Sequence, residues 1–305
     1  MRLMDIQVVV FFLRTAGILN LLGGVLLYAL GVGIARYLGS PIDWPLVLIG
    51  QVWITTFQIG SRFLGAYFLL PADPRNPSRI SIDPPGDDSH PGLRRDLLLW
   101  VAFAAYGVTA SLIVLLRQQP GISSPVLVVM GLALSLAVLY AVPPFRLANT
   151  GYGELIQSII MANLIPSIGF MLQAGDLHQL VMLSTFPLTM LYLSMSLAIQ
   201  LPQYARAVRD GKHTILVRLG WEHGMVFHNV LILGSFTVAG LAMLFGLPPA
   251  VALPAFFVLP LGLFQIWYIT RIAAGIKPNW AVLRWTAVLT FGLYAYLVAF
   301  SFWVR

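Results

Sequence analysis

The chain has 305 residues, of which 59% are hydrophobic and only 10% charged, with no cysteine and a formal net charge of +7. Soluble domains carry about a quarter charged residues, so this composition is that of an integral membrane protein. The lack of cysteine excludes disulfides, thiolate metal sites and cysteine nucleophiles. The positive balance is assigned to loop Lys and Arg facing anionic lipid, and no nucleic-acid partner is expected.

Residues 1–17 open the chain with an apolar stretch, 8–13, that is interrupted by Arg14. It is short for a signal-peptide core and lacks a small-x-small cleavage site, so it is read as mature protein lying along the membrane surface. About nine spans follow, at 16–38, 44–70, 97–116, 126–142, 155–172, 180–200, 225–245, 248–269 and 282–302. Each approaches the ~20 residues that a helix needs to cross the hydrocarbon, and no alternating ~10-residue segments of a β-barrel are visible. The expected fold is an all-α integral membrane bundle forming one domain over 1–305. Gly246-Leu247-Pro248-Pro249 predicts a tight turn between the seventh and eighth spans.

Lys and Arg are unevenly distributed between the connections. Thirteen fall on the N-terminus and the even-numbered loops: Arg2, Arg14, Arg75, Arg79, Arg94, Arg95, Arg146, Arg206, Arg209, Lys212, Arg218, Arg271 and Lys277. Only Arg36, Arg117 and Arg305 fall on the other side, and Arg62 and Arg284 lie within spans. The positive-inside rule therefore predicts a cell (inner) membrane protein whose N-terminus and long loops are cytoplasmic. Two of those loops, about 71–96 and 201–224, are far longer than the usual 4 to 6 residues. Within the first, 81–90 has the composition of a mobile linker.

Three segments carry recognisable patterns. Tyr140-Ala141-Val142-Pro143-Pro144-Phe145-Arg146-Leu147 runs on through Ala148-Asn149-Thr150-Gly151-Tyr152-Gly153-Glu154. Leu172-Gln173-Ala174-Gly175 closes the next helix, and Gly211-Lys212-His213-Thr214 leads to Val217-Arg218-Leu219-Gly220. In these segments the chain resembles the UbiA superfamily of intramembrane prenyltransferases, especially its menaquinone-type and related quinone or lipid branches. The resemblance implies a helical bundle with two aspartate-rich motifs at its cytosolic mouth. There Mg²⁺, which favours octahedral oxygen ligands, would bridge carboxylates to a prenyl diphosphate and stabilise the departing diphosphate.

Those motifs are degenerate here. The first, N-D-x-x-D-x-x-x-D, falls on Gly65, Ala66, Leu69 and Asp73, followed by Asn76, Pro77 and Arg79. The second, P-D-Y-x-x-D-x-x-x-G-K, falls on Pro202, Gln203, Tyr204, Ala207, Gly211 and Lys212. Four of five expected carboxylates are absent, and Gly, Ala and Leu offer no side-chain oxygen. Asp73 is retained. Asp210 follows Ala207 by three residues and would share its face if the helix persists that far.

Two readings stay open. In the first, a bundle without its metal sites holds an isoprenoid, quinone, pigment or lipid, or serves as an accessory subunit of a membrane complex, with no cofactor. In the second, a divergent prenyltransferase moves a prenyl group to a quinone precursor or other lipophilic acceptor, with Asp73 catalytic and Mg²⁺ on Asp73 and Asp210. Candidate anion-binding residues are Arg75, Asn76, Arg79, Arg146, Gln203, Tyr204, Arg206, Arg209, Lys212 and Arg218. Arginine binds phosphate in bidentate fashion and lysine as a point charge. Arg62, Tyr67, Phe68 and Tyr140 are expected to face the cavity, Arg62 because ionisable groups inside membranes are expensive. Gln58, Gln157, Asn163, Gln200 and Gln203 are candidates for a polar upper pocket or for interhelical glue. Glu154 and Arg146 are expected to pair at the mouth.

Overall fold

The computed structural model describes residues 11–70, 72–73, 76–80, 93–119 and 121–305, with backbone alone at 72–73, 76–80 and 93. The long helices are α1 Ile18–Tyr37, α2 Trp44–Leu69, α3 Arg95–Arg117, α4 Ser124–Ala141, α5 Gly153–Ala174, α6 Gln179–Gln200, α7 Trp221–Leu244, α8 Pro249–Ala273 and α9 Trp280–Val304. Among the described residues, eight helices are long and apolar enough to cross a membrane. These establish a multi-pass membrane protein. α2 has the length but carries Gln51, Thr55, Thr56, Gln58, Ser61 and Arg62. Its polar face proves to be part of the candidate site.

Expectation and structure differ locally. The loop after α2 contains short strands, β1 Ala72–Asp73, β2 Asn76–Ile80 and β3 Leu93–Arg94, in an antiparallel sheet of order β1-β2-β3. Two-residue strands carry too little alternation to be read from sequence. The linker expected at 81–90 lies outside the described residues. Residues 11–16 are helical and turn into α1 at Gly17, whose φ of 69° is left-handed. The turn expected between α7 and α8 is present, with Gly246 at φ 105° and Pro249 starting α8.

The closed end of the bundle is packed around the second half of α1, where Leu27, Tyr28, Leu30, Ile34 and Ala35 are fully buried. Small residues let α1 and α5 approach closely. A Cβ on Gly31 would stand 1.9 Å from the Pro166 carbonyl oxygen, and one on Gly169 would stand 2.6 Å from that of Tyr28. With no hydrophobic drive between helices in lipid, such approach is how their packing gains energy. α9 locks against α1 through Trp303, whose indole N–H donates to the Ala29 carbonyl at 2.8 Å. At this same end, Gln173 accepts from the Asp43 amide at 2.9 Å, and Asp43 caps α2 by accepting from the Leu46 amide at 3.1 Å. The Leu172–Gly175 segment therefore holds the closed end.

Packing loosens toward the start of α1. Ile18, Leu19 and Leu22 are exposed, and the space around them is the chamber described next.

Candidate functional site

The chamber has two lobes, of about 460 and 990 Å³. Both are lined by Arg14, Asn20, Arg62, Tyr140, Gln157 and Met161, so they are two parts of one space. Its walls come from the start of α1, the ends of α2 and α4, the start of α5, the end of α6 and the start of α9. In an up-and-down bundle these are all the same end. That end carries the loops after α2 and α6.

α2 presents one helical face to the smaller lobe: Gln58, Ser61, Arg62, Gly65, Ala66 and Leu69. The spacing of Arg62, Gly65, Ala66 and Leu69 is i, i+3, i+4, i+7, a single stripe of a helix. Three of the degenerate ligand positions thus lie on the chamber wall, where they supply shape and no charge. Tyr67 and Phe68 do not line either lobe. They sit off the stripe, packed edge to face at 4.8 Å against each other, in the cluster formed by Phe63, Leu64, Leu98, Ala102 and Ala141. The expectation that both face the cavity is corrected by helical phase. Tyr140 does line both lobes, as expected.

Arg146 has another task. Its backbone is left-handed at φ 41°, and its guanidinium donates to the Phe68 carbonyl at 2.6 Å. Arg95 donates to the neighbouring Tyr67 carbonyl, through Nε at 2.8 Å and through Nη2, and stacks on the Tyr67 ring at 5.1 Å. The last carbonyls of a helix lack internal partners and carry partial negative charge, so two arginines there stabilise the end of α2. The expected pairing of Arg146 with Glu154 is not formed. Glu154, buried, instead accepts from the Ile215 amide at 3.3 Å.

The second degenerate motif lies outside the chamber lining. α6 runs into a short turn, Leu201–Gln203, and a short helix, Tyr204–Arg209. Gln203 and Arg209 are exposed, and Tyr204 packs on Trp221 with ring centroids 5.6 Å apart. That helix stops at Arg209, one residue before Asp210, so Asp210 does not continue its face. Asp210 instead meets Arg206 at 3.6 Å and Lys212 at 4.0 Å. Arg218, in the short helix Ile215–Leu219, lies over the Tyr152 ring at 5.6 Å and fills the space where a Cβ on Gly151 would fall. The 140–154 and 211–220 segments therefore brace each other. Of the expected anion ring, Arg146, Arg206, Lys212 and Arg218 are turned to these neighbours. Arg75 lies outside the described residues, as do the side chains of Asp73, Asn76 and Arg79.

The cations that do line the chamber are Arg14, Arg62 and Arg284. Arg284 stands one turn into α9 and was legible only as a charge within a span. Glu154, Gln200, Tyr192 and Phe291 complete the polar and aromatic part of the larger lobe. α5 widens into a π turn at Ile160–Leu164, ahead of Pro166, and Ile160 and Met161 from that turn reach the chamber. Such turns are frequent at functional sites. Asn163 is outside the lining: it bonds Thr185 at 2.9 Å and Thr189 at 2.5 Å across α5 and α6.

The fit to a divalent ion is poor. Gly65, Ala66, Leu69, Gln203 and Ala207 give no carboxylate, and among the described residues no three His, Asp or Glu side chains gather as a metal site.

No family model matches the chain, and no curated protein matches it. Solved structures do. A UbiA homolog from Archaeoglobus fulgidus bound to Cd²⁺ superposes with a TM-score of 0.63 at 13% identity, covering 94% of this chain and 99% of that one. A structure of the same homolog bound to GPP and Mg²⁺ gives 0.60 at 13% identity, covering 97% and 100%. A structure concerning digeranylgeranylglyceryl phosphate synthase gives 0.60 at 13% identity, covering 97% of both chains. The chain has the UbiA-type prenyltransferase fold.

Proposed function

We infer that this protein holds an apolar-tailed molecule, an isoprenoid, quinone, pigment or lipid, in the chamber at the two-loop end of its bundle, without the metal-dependent transfer that the fold otherwise supports. The observation that carries this reading is the α2 face: Gly65, Ala66 and Leu69 line a chamber of ligand size and supply it with no oxygen donor. The protein would sit in the cell (inner) membrane with its N-terminus and long loops cytoplasmic, free to join a membrane complex. Gentle purification followed by extraction and mass spectrometry tests it. A stoichiometric apolar ligand is expected. Prenyl transfer from a prenyl diphosphate, dependent on Mg²⁺ and abolished by Asp73→Ala, would overturn it.

A second reading, a divergent prenyltransferase of the menaquinone or related branches, draws on two observations. The 140–154 and 211–220 segments remain packed together, and a structure with this fold was solved with GPP and Mg²⁺. Calorimetry separates the two: this reading requires prenyl diphosphate to bind with Mg²⁺ at micromolar concentration.

A further inference from the structure

The closed-end half of α5 is fixed in rotation. A Cβ on Gly31 of α1 would stand 1.9 Å from the Pro166 carbonyl oxygen, and one on Gly169 would stand 2.6 Å from that of Tyr28, so turning this half would drive side chains into those approaches. In the other half, Gln157 lines both lobes of the chamber and Ile160 lines the smaller one. Ser158, the next residue after Gln157, is fully buried and donates to the Leu155 carbonyl at 2.7 Å.

Between the halves lies the π turn Ile160–Leu164. A π turn holds one residue more than an α turn, and one residue corresponds to about 100° of rotation and about 1.5 Å of rise. With the closed-end half fixed, closing the turn to α would move every residue before it by one place. Ser158 would then stand where Gln157 stands, and Met161 where Ile160 stands. Pro166 does not by itself require the extra residue, since a proline leaves one carbonyl unpaired in either register.

A polar ring opposes the closure. Asn163, inside the turn, donates through Nδ2 to Thr189 Oγ1 at 2.5 Å, and its Oδ1 accepts from Thr185 Oγ1 at 2.9 Å. The Thr189 hydroxyl donates to the Thr185 carbonyl at 3.0 Å, so toward the amide it can only accept. These threonines stand two residues on either side of Pro187, the proline inside α6, whose carbonyl accepts from the Ser235 hydroxyl of α7 at 2.9 Å. α6 is thus tied to α7 at this level, and Asn163 ties the α5 turn to α6. Apolar surroundings give the amide no competing partner.

We propose that Asn163 is a positioning residue: its bonds to Thr185 and Thr189 keep the extra residue in α5, and so decide that Gln157 and not Ser158 forms the chamber wall, whatever occupies the chamber.

The chain has no cysteine, so single-cysteine variants report on the wall directly. The experiment measures N-ethylmaleimide labelling of Gln157→Cys and of Ser158→Cys in the full-length protein in detergent, by intact-mass spectrometry. An accessible thiol reacts faster than a buried one, so Gln157→Cys should label about tenfold or more faster than Ser158→Cys. Adding Asn163→Leu should reverse that preference, because the turn closes and the two positions exchange places. Deleting Asn163 removes the bonds and the extra residue together, and should leave the preference within about twofold of the original. Deleting Ala162 serves if that protein does not fold. A residue that merely glued two helices would give the same result for the substitution and the deletion. Thr189→Val removes only the acceptor of the amide and carries the test if Asn163→Leu does not fold. No preference in the starting pair, an unchanged preference in the folded substitution, or the same change in substitution and deletion would overturn the proposal.

Discussion

Residues 62–69 and 203–218 stand at the ends of α2 and α6, flank the same end of the bundle, and have opposite relations to the chamber. In the first, Arg62, Gly65, Ala66 and Leu69 form the wall itself. In the second, Gln203 is exposed, Arg206 and Lys212 meet Asp210, and Arg218 lies on Tyr152. One region is the wall of the chamber and the other is a brace for the connections. A wall tolerates exchange of its side chains provided the volume suits the occupant, whereas a brace depends on particular partners. The expected metal-ligand positions carry no carboxylate in either region, Gly65, Ala66 and Leu69 in the wall and Gln203 and Ala207 after α6, and the residues that make the brace, Arg206, Asp210, Lys212 and Arg218, lie off those positions.

The contrast can be broken most sharply at Gly65. A Cβ there would meet only Leu69 Cδ1, at 4.0 Å, so the space beyond belongs to the chamber. Gly65→Phe should lower ligand occupancy roughly a hundredfold, about 2.7 kcal/mol, with little change in melting temperature. Mass spectrometry of extracted ligand from wild type and variant measures it; equal occupancy would remove the α2 face from the site.

Arg146→Met should act on stability instead. It deletes a charge-assisted bond to the Phe68 carbonyl and should cost about 1.5–3 kcal/mol in reversible unfolding. An unchanged unfolding midpoint would mean that the end of α2 does not depend on this arginine. Glu154→Ala should be milder, about 1 kcal/mol, since its bond to the Ile215 amide is long at 3.3 Å. Its sign is faster proteolytic cleavage within 203–220, and cleavage at the wild-type rate would contradict the brace. Asp210→Asn should be smallest, within about 1 kcal/mol, because the ion pairs it loses are at the surface. Any large loss of ligand binding in that variant would return Asp210 to the site.

The spans and the bundle are legible in the sequence, because hydrophobic runs and the segments 140–154 and 211–220 are local patterns. What escaped was non-local. Arg146 meets Phe68 across 78 positions, and no spacing rule reaches that far. Tyr67 and Phe68 were drawn to the cavity by their nearness to Gly65 and Ala66, although helical phase places them on another face. Arg14 counts in the sequence only toward the positive N-terminus and Arg284 only as a charge within a span, and neither pattern points to the chamber. The break at Gly17 that brings Thr15 to Arg62 has no sequence signal beyond the glycine itself.

The most direct test of a chamber that works through its walls and not through metal is a cryo-electron microscopy map of the purified protein in nanodiscs with Mg²⁺ present. An elongated density is expected in the chamber between α1, α2, α5, α6 and α9. Divalent ions held by Asp73 or Asp210, with no molecule in the chamber, would contradict it.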